Sequence, residues 1–212
     1  MARPRTFDEA QVLDRAMEVF WLHGYNGTAM SDLTEAMGIN SPSIYSAFGS
    51  KRGLFDAVLD RYDQRRADFK EHFLTGKTAR DVVEMLLRGT VQWLTSSNEP
   101  RGCLLVQAGL ATGGDGQDIP ALLARRRKRL EHLLTARFDQ AKVDGDLGVN
   151  EDSSALARYV QTIFSGLAVQ AAAGASAAEL DDVVTRIMPT WPASPSRKAR
   201  PKPKPTVRNP AV

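Results

Sequence analysis

Apolar residues recur at three- and four-residue steps along most of the chain, and no stretch alternates strictly between apolar and polar positions. The pattern therefore predicts helices and no strands. The run "TFDEAQVLDRAMEVFWLHG" opens with Thr6 and Glu9 at capping-box spacing. It places Val12, Ala16, Val19, Phe20 and Leu22 on one helical face and meets a stop at Gly24. "TAMSDLTEAMG" predicts a second, short helix, capped by Thr28, with Leu33, Ala36 and Met37 inward and Gly38 at its end. "INSPSIYSAFGSK" predicts a third helix of about two turns, capped by Asn40 or Ser41. Pro42 falls in its first turn, where a missing N–H costs nothing. A fourth helix is expected from after Ser50 to about Leu74, with Leu54, Phe55, Val58, Leu59, Tyr62, Phe69 and Phe73 on its buried side. Five further helical segments, near 78–96, 102–112, 119–143, 152–173 and 177–188, bring the expectation to about nine helices in an all-α fold. Gly, Pro, Asn and Asp punctuate the joints between them.

The second and third helices, separated by a glycine and a short turn, form a helix-turn-helix. Leu33, Ala36, Met37, Ile39, Ile44 and Phe48 supply a buried seam, which leaves Ser41, Pro42, Ser43, Ser46 and Ala47 outward and Tyr45 partly so. Small polar side chains on a free face let a helix sit close in a major groove and meet base edges. Gly49-Ser50-Lys51 opens the next helix, whose free N–H groups and lysine suit a phosphate. A capped corner between core helices would give the same pattern.

Residues 16–59, "AMEVFWLHGYNGTAMSDLTEAMGINSPSIYSAFGSKRGLFDAVL", resemble the DNA-binding domain of the TetR/AcrR family of transcriptional regulators. The matching pieces are Phe20, Gly24-Tyr25, Gly27-Thr28, Asp32-Leu33, Ala36 to Ile39, Ile44-Tyr45, Phe48, Ser50-Lys51 and Leu54, ungapped. "RGCLLVQAGLAT" and "YVQTIFSGLAVQAAAGASAAELDDVV" resemble ligand-binding domains of a subgroup. The resemblance implies a recognition helix at 41–48, phosphate contacts from Thr28, Tyr45 and Lys51, and base-edge contacts from Ser41, Pro42, Ser43 and Ser46. Two residues depart from the family pattern: Pro42 stands where Gly is common, and Ala47 where His or Tyr is common. Both bear on which bases are read.

The resemblance also implies a DNA-binding domain over 6–66 (helix-turn-helix motif about 29–48) and a ligand-binding and dimerisation domain over 67–188. Tyr159, Ile163, Phe164 and Leu167, at helical spacing in an Ala- and Gly-rich segment, are its expected dimer contacts. Phe73, Met85, Trp93, Cys103, Leu104, Gln107 and Phe138 are the candidate lining of an effector pocket. Cys103 stands at a helix start beside Arg101, two features that lower a thiol pKa. Some relatives sense electrophiles or oxidants through a cysteine in a similar motif, whereas most lone cysteines are buried and inert.

Charge complicates this picture. Residues 1–75 hold nine basic and eleven acidic residues, where a DNA-binding domain usually leaves a basic footprint. Arg3, Arg5, Lys51 and Arg52 flank the motif. Arg3 and Arg5 read either as a minor-groove arm or as a solvated terminus. "RRRKR" at 125–129 reads as a solvated helix face. From Pro189 onward there are six basic residues and no acidic one, in a Pro-rich stretch expected to be disordered. That stretch attracts DNA, contacts another protein or is dispensable.

The remaining composition narrows the function. One cysteine excludes an intramolecular disulfide and fits a reducing cytoplasm. No run of 18 apolar residues predicts a membrane span, and "MARPRTFDEA" lacks the apolar core of a secretory signal. His23, His72 and His132 have no metal-ligand or triad spacing, so neither catalysis, a metal nor a cofactor is expected. The expectation is a cytoplasmic homodimeric repressor that binds a palindromic operator in double-stranded DNA and is released by an unidentified small-molecule effector. The alternatives are a helical ligand-binding or scaffold protein with weak or lost specific DNA binding, and an activator or architectural DNA binder assisted by the basic tail.

Overall fold

Asp8 starts the first helix. Its carboxylate accepts from the N–H groups of Ala10 and Gln11 at 3.0 and 3.3 Å and so caps α1 (Glu9–Gly27). The computed structural model describes residues 8–96, 99–108, 118–192 and 194. Thr6 of the expected capping box, Arg3 and Arg5 therefore lie outside the described residues, as does most of the basic tail. Gly24 interrupts α1 with φ 67° and ψ 174°, a conformation that L side chains avoid, and one more helical turn follows to Gly27. Trp21, not the expected Leu22, faces the core here; Leu22 is 67% exposed.

The chain continues through α2 (Met30–Met37), α3 (Ser41–Phe48), α4 (Lys51–Gln64), α5 (Ala67–Leu74) and α6 (Ala79–Leu94). It proceeds to α7 (Leu104–Gln107), α8 (Ile119–Val143), α9 (Ser153–Ala172), α10 (Ala177–Ile187) and a 3-10 turn at Met188–Thr190. Among the described residues there is no strand, and the helices number ten where the sequence suggested about nine. The extra one comes from a break at Arg65–Arg66, which divides the expected 51–74 helix without help from Gly or Pro. Arg66 leaves helical geometry at φ −114° and ψ 5°, and its guanidinium stacks between the Tyr62 and Trp93 rings, 3.3 and 3.1 Å from their centroids.

Helix α1 packs along α4 and against α2, while α3 leans on α4. In the remaining part, α8 and α9 form the longest contact, and α6 packs against α5, α9 and α10. The short α7 touches α1, α8 and α9, so it joins the two halves. One continuous buried cluster runs from Val12 to Trp191. Trp191 corrects the expectation of disorder from Pro189. Its ring stacks on Phe138 at 5.2 Å, and Arg80 holds the Met188 carbonyl at 2.7 Å, so the first turn beyond α10 belongs to the fold.

Ile44 is fully buried beneath α3, and its truncation leaves a cavity. Ile44→Ala should cost roughly 2–4 kcal/mol in urea unfolding. Ser46→Ala, on the exposed side of the same helix, should stay within about 0.5 kcal/mol.

Candidate nucleic-acid interface and internal cavity

Both ends of α3 are fastened. Asn40 caps its start, its side chain accepting from the Ser43 N–H at 2.9 Å, and Ser50 caps α4, accepting from the Gly53 N–H at 3.0 Å. A Cβ on Gly53 would stand 2.0 Å from the Phe48 carbonyl oxygen, so only glycine lets α4 start this close to the end of α3. Between these anchors Pro42, Tyr45 and Ser46 are exposed, and Ser41, Ser43 and Ala47 are half-buried. The expected seam holds: Leu33, Met37 and Ile44 are buried, and Ile39 and Phe48 pack against them. Lys51 lies with its ammonium 4.6 Å from the centre of the Tyr25 ring, beside this face.

Thr28 departs from expectation. It does not cap α2, whose first turn is instead held by Asp32 accepting the Ala29 N–H at 2.8 Å. The Thr28 hydroxyl donates inward to the Gly24 carbonyl at 2.7 Å, closing the kink in α1, and the residue is buried. That hydroxyl is thus engaged within α1 and does not cap α2.

The acidic balance of the N-terminal part also finds its explanation. Asp14 pairs with Arg61 at 2.9 Å and with Arg65 at 3.7 Å, joining α1 to α4. Arg52 pairs with Asp56 and Asp118. Asp60 and Asp63 on α4 are met by α8: Arg126 reaches them at 2.8 and 3.1 Å, and Arg129 reaches Asp63 at 3.0 Å. The pairs of Asp14, Asp60, Asp63 and Asp118 each join two helices. The "RRRKR" run is thus not a solvated face. Arg125 and Lys128 are exposed, but Arg126 is buried and Arg127 donates to the Leu105 carbonyl.

Behind these pairs lies a cavity of about 300 Å³. Its wall is formed by Tyr62, Arg66, Phe69 and Phe73 from α4 and α5, and by Leu86 and Trp93 from α6. Arg126, Leu130 and Leu133 from α8, Gln161 and Phe164 from α9, and Cys103 and Leu105 near α7 also line it, as do the charged Asp63, Lys70, Arg127 and Arg129. Of the candidate pocket residues, Phe73, Trp93 and Cys103 line this cavity. Met85 lies instead on an open groove with His72 and Gln92. Leu104 and Phe138 are plain core, and Gln107 accepts the Trp21 indole N–H at 2.6 Å, tying α1 to α7. The Arg101 guanidinium is engaged by α9 and the turn after it, donating to the carbonyls of Ala171 and Ala175. Cys103 is buried and accepts the Tyr62 hydroxyl at 3.1 Å, while that oxygen accepts the Leu104 N–H at 3.2 Å.

Of the expected dimer contacts, Phe164 lines the cavity, Leu167 is buried in the core and Ile163 packs against it. Tyr159 alone faces outward, its hydroxyl 3.0 Å from that of Thr190. The exposed stripe of α9 runs through Tyr159, Thr162, Gly166 and Val169.

Residues 12–58 match the family model described as bacterial regulatory proteins, tetR family. The chain is 33% identical over 192 residues to the HTH-type transcriptional repressor ComR of Escherichia coli (strain K12), spanning 90% of this chain and 91% of ComR. It is 30% identical over 162 residues to the HTH-type transcriptional regulator YezE of Bacillus subtilis (strain 168), covering 76% and 84% of the two chains. Among solved structures it is similar to a cysteine mutant of the TetR family transcriptional regulator CifR complexed with 26bp double-strand operator DNA. That similarity has a TM-score of 0.86 and 40% identity, over 90% of this chain and 100% of CifR.

Burial pushes the Tyr62 phenol well above the usual tyrosine range; Arg66 opposes the shift and Cys103 adds to it. As pH passes about 10 the unfolded chain loses this proton first, so the stabilisation is complete below that pH and is lost above it. Tyr62→Phe should cost about 1–3 kcal/mol at neutral pH, because the Leu104 N–H loses its acceptor. The same variant should flatten the fall of the urea midpoint between about pH 9 and 11 relative to the parent.

Proposed function

Because the chain belongs to the tetR family of bacterial regulatory proteins, we propose that it is a homodimeric transcriptional repressor. In this reading it seats α3 in the major groove of a palindromic operator and is released by a small molecule entering the internal cavity. The carrying observation is α3 itself. It is capped at both ends, anchored by Ile44, and offers Pro42, Tyr45 and Ser46 outward. Base edges are met by Ser41, Pro42, Ser43 and Ser46, and the backbone is gripped by Tyr45 and Lys51. The operator complex of CifR and the repressor role of ComR support this assignment. Residues 6–66 act as the DNA-binding domain and 67–188 as the effector and dimer domain, divided at the break before α5. DNA as the target places the protein in the cytoplasm, with no catalytic role.

Helix α4 carries the signal. It begins directly after α3, and its far half presents Tyr62 to the cavity and Asp60 and Asp63 to α8. A ligand that favours one placement of α4 weakens operator binding by its differential affinity for the two placements. The thiol of Cys103 on the cavity wall supports a second trigger, a thiol-reactive molecule. If Cys103→Ser kept full release by an alkylator, that trigger would be excluded.

In a mobility shift with the intergenic DNA flanking its gene, Tyr45→Ala and Lys51→Ala should each lose about tenfold or more in affinity. Lys51→Ala should also lower the slope of log K against log salt by about one. A footprint should show two half-sites about one helical turn (~34–36 Å) apart. Absence of any specific shift at low salt would overturn the repressor reading. Val169→Glu, on the exposed stripe of α9, should halve the mass seen by light scattering without loss of helicity.

A further inference from the structure

Two buried polar atoms on the cavity wall lack a partner among the described residues: Arg126 Nε and Gln161 Oε1. Natural interiors leave few such groups, and each one calls for a ligand, a water or strain. The Arg126 side chain is only 7% exposed, so its charge is largely withdrawn from water. Its NH1 and NH2 groups serve Asp63 and Asp60, which leaves the Nε edge open. Asp63 is the sole carboxylate among the residues lining the cavity, and it is shared by Arg126, Arg129 and Lys70. Arg66 stands on the same wall over two aromatic rings, and Glu99, which does not line the cavity, partly offsets its charge. The cavity therefore holds more desolvated cation than anion, and a desolvated guanidinium is best satisfied by a carboxylate. Beside Lys70, Arg127 and Arg129, the wall is mostly apolar and aromatic, with Phe69, Phe73, Leu86 and Phe164 among its residues. Its volume suits an aryl or short-chain body.

We propose that the cavity takes a small apolar monocarboxylate whose anionic group binds the open edge of Arg126 and competes with Asp60 and Asp63 for it. The Gln161 amide oxygen accepts a hydroxyl or N–H carried by the same ligand. The competition loosens α8 from α4, which couples ligand binding to the placement of α3. The ligand class rests on the cavity alone, while the coupling rests on the repressor reading above.

The test uses the full chain without DNA and follows tryptophan fluorescence, since Trp93 lines the cavity. Matched acid and amide pairs are titrated: benzoate with benzamide, hydrocinnamate with hydrocinnamide, hexanoate with hexanamide. In at least one pair the carboxylate should bind about tenfold or more tightly than its amide, the size of a charge-assisted hydrogen bond. Arg126→Gln should bring that ratio to about one. Asp63→Asn, a milder change that removes the internal competitor, should tighten carboxylate binding and leave the amide unchanged. Equal binding within every pair, no binding by any member, or a preference that survives Arg126→Gln would each overturn the proposal. Operator binding is measured separately by mobility shift. Failure to bind DNA without ligand counts against the repressor reading and leaves the fluorescence result standing. A bound carboxylate that leaves operator affinity unchanged overturns the competition with α4.

Discussion

The pairing of Arg126 on α8 with Asp60 and Asp63 on α4 is the constraint on which the two halves of the molecule depend. It joins the helix that follows α3 to the longest helix of the effector part. Taking a guanidinium this far out of water is costly, and only its two carboxylates offset that cost. Removal of either partner would leave charge stranded beneath α4. The same pairing fixes the floor of the cavity, so what is placed in the cavity and where α4 lies are one problem. On the other side of α4, Arg61 and Arg65 hold Asp14 of α1, and together these pairs clamp α4 along both flanks.

Aromatic packing supplies the stiffness between those clamps. Phe20 meets Phe55 at 4.9 Å, Trp21 meets Tyr62 at 5.2 Å, and Tyr62 meets Trp93 at 6.0 Å. These contacts form a near-continuous path of rings from beneath the helix-turn-helix to the cavity wall. Close-packed rings do not deform gradually, so a change at Trp93 or Tyr62 is expressed as a shift of whole helices. The hydrogen bond from Trp21 to Gln107 gives α7 a share in the same path.

The helix-turn-helix was legible because its signals are local: a glycine turn, an Asn cap, a Ser cap and a seam at helical spacing. Phe73, Trp93 and Cys103 were legible as cavity wall, whereas Leu104 and Phe138 share their apolar character yet fill the core. Apolar type alone does not say which side of a wall a residue takes. Arg126 was missed because five cations in sequence look like one surface. Helical rotation spreads them around the axis and puts position 126 on the side of Leu123, Leu130 and Leu133. A helical projection of 119–143 would have exposed a cation inside an apolar stripe. Thr28 was misjudged because a threonine before a helix can cap forward or bond backward, and only the Gly24 kink decides between the two. The break at Arg66 has no local breaker; it follows from a stacking site whose two rings come from different helices.

The deficit of positive charge in residues 1–75 has a consequence for anyone who would tighten the hold of this protein on DNA. Surface charge is the usual lever, and Asp60 and Asp63 look like convenient targets for neutralisation. Their charge is structural, already matched by cations that the chain supplies 63 to 66 residues later. Neutralising both together would loosen α8 from α4 before it added any attraction. The positions open to such redesign are those that answer to no helix but their own.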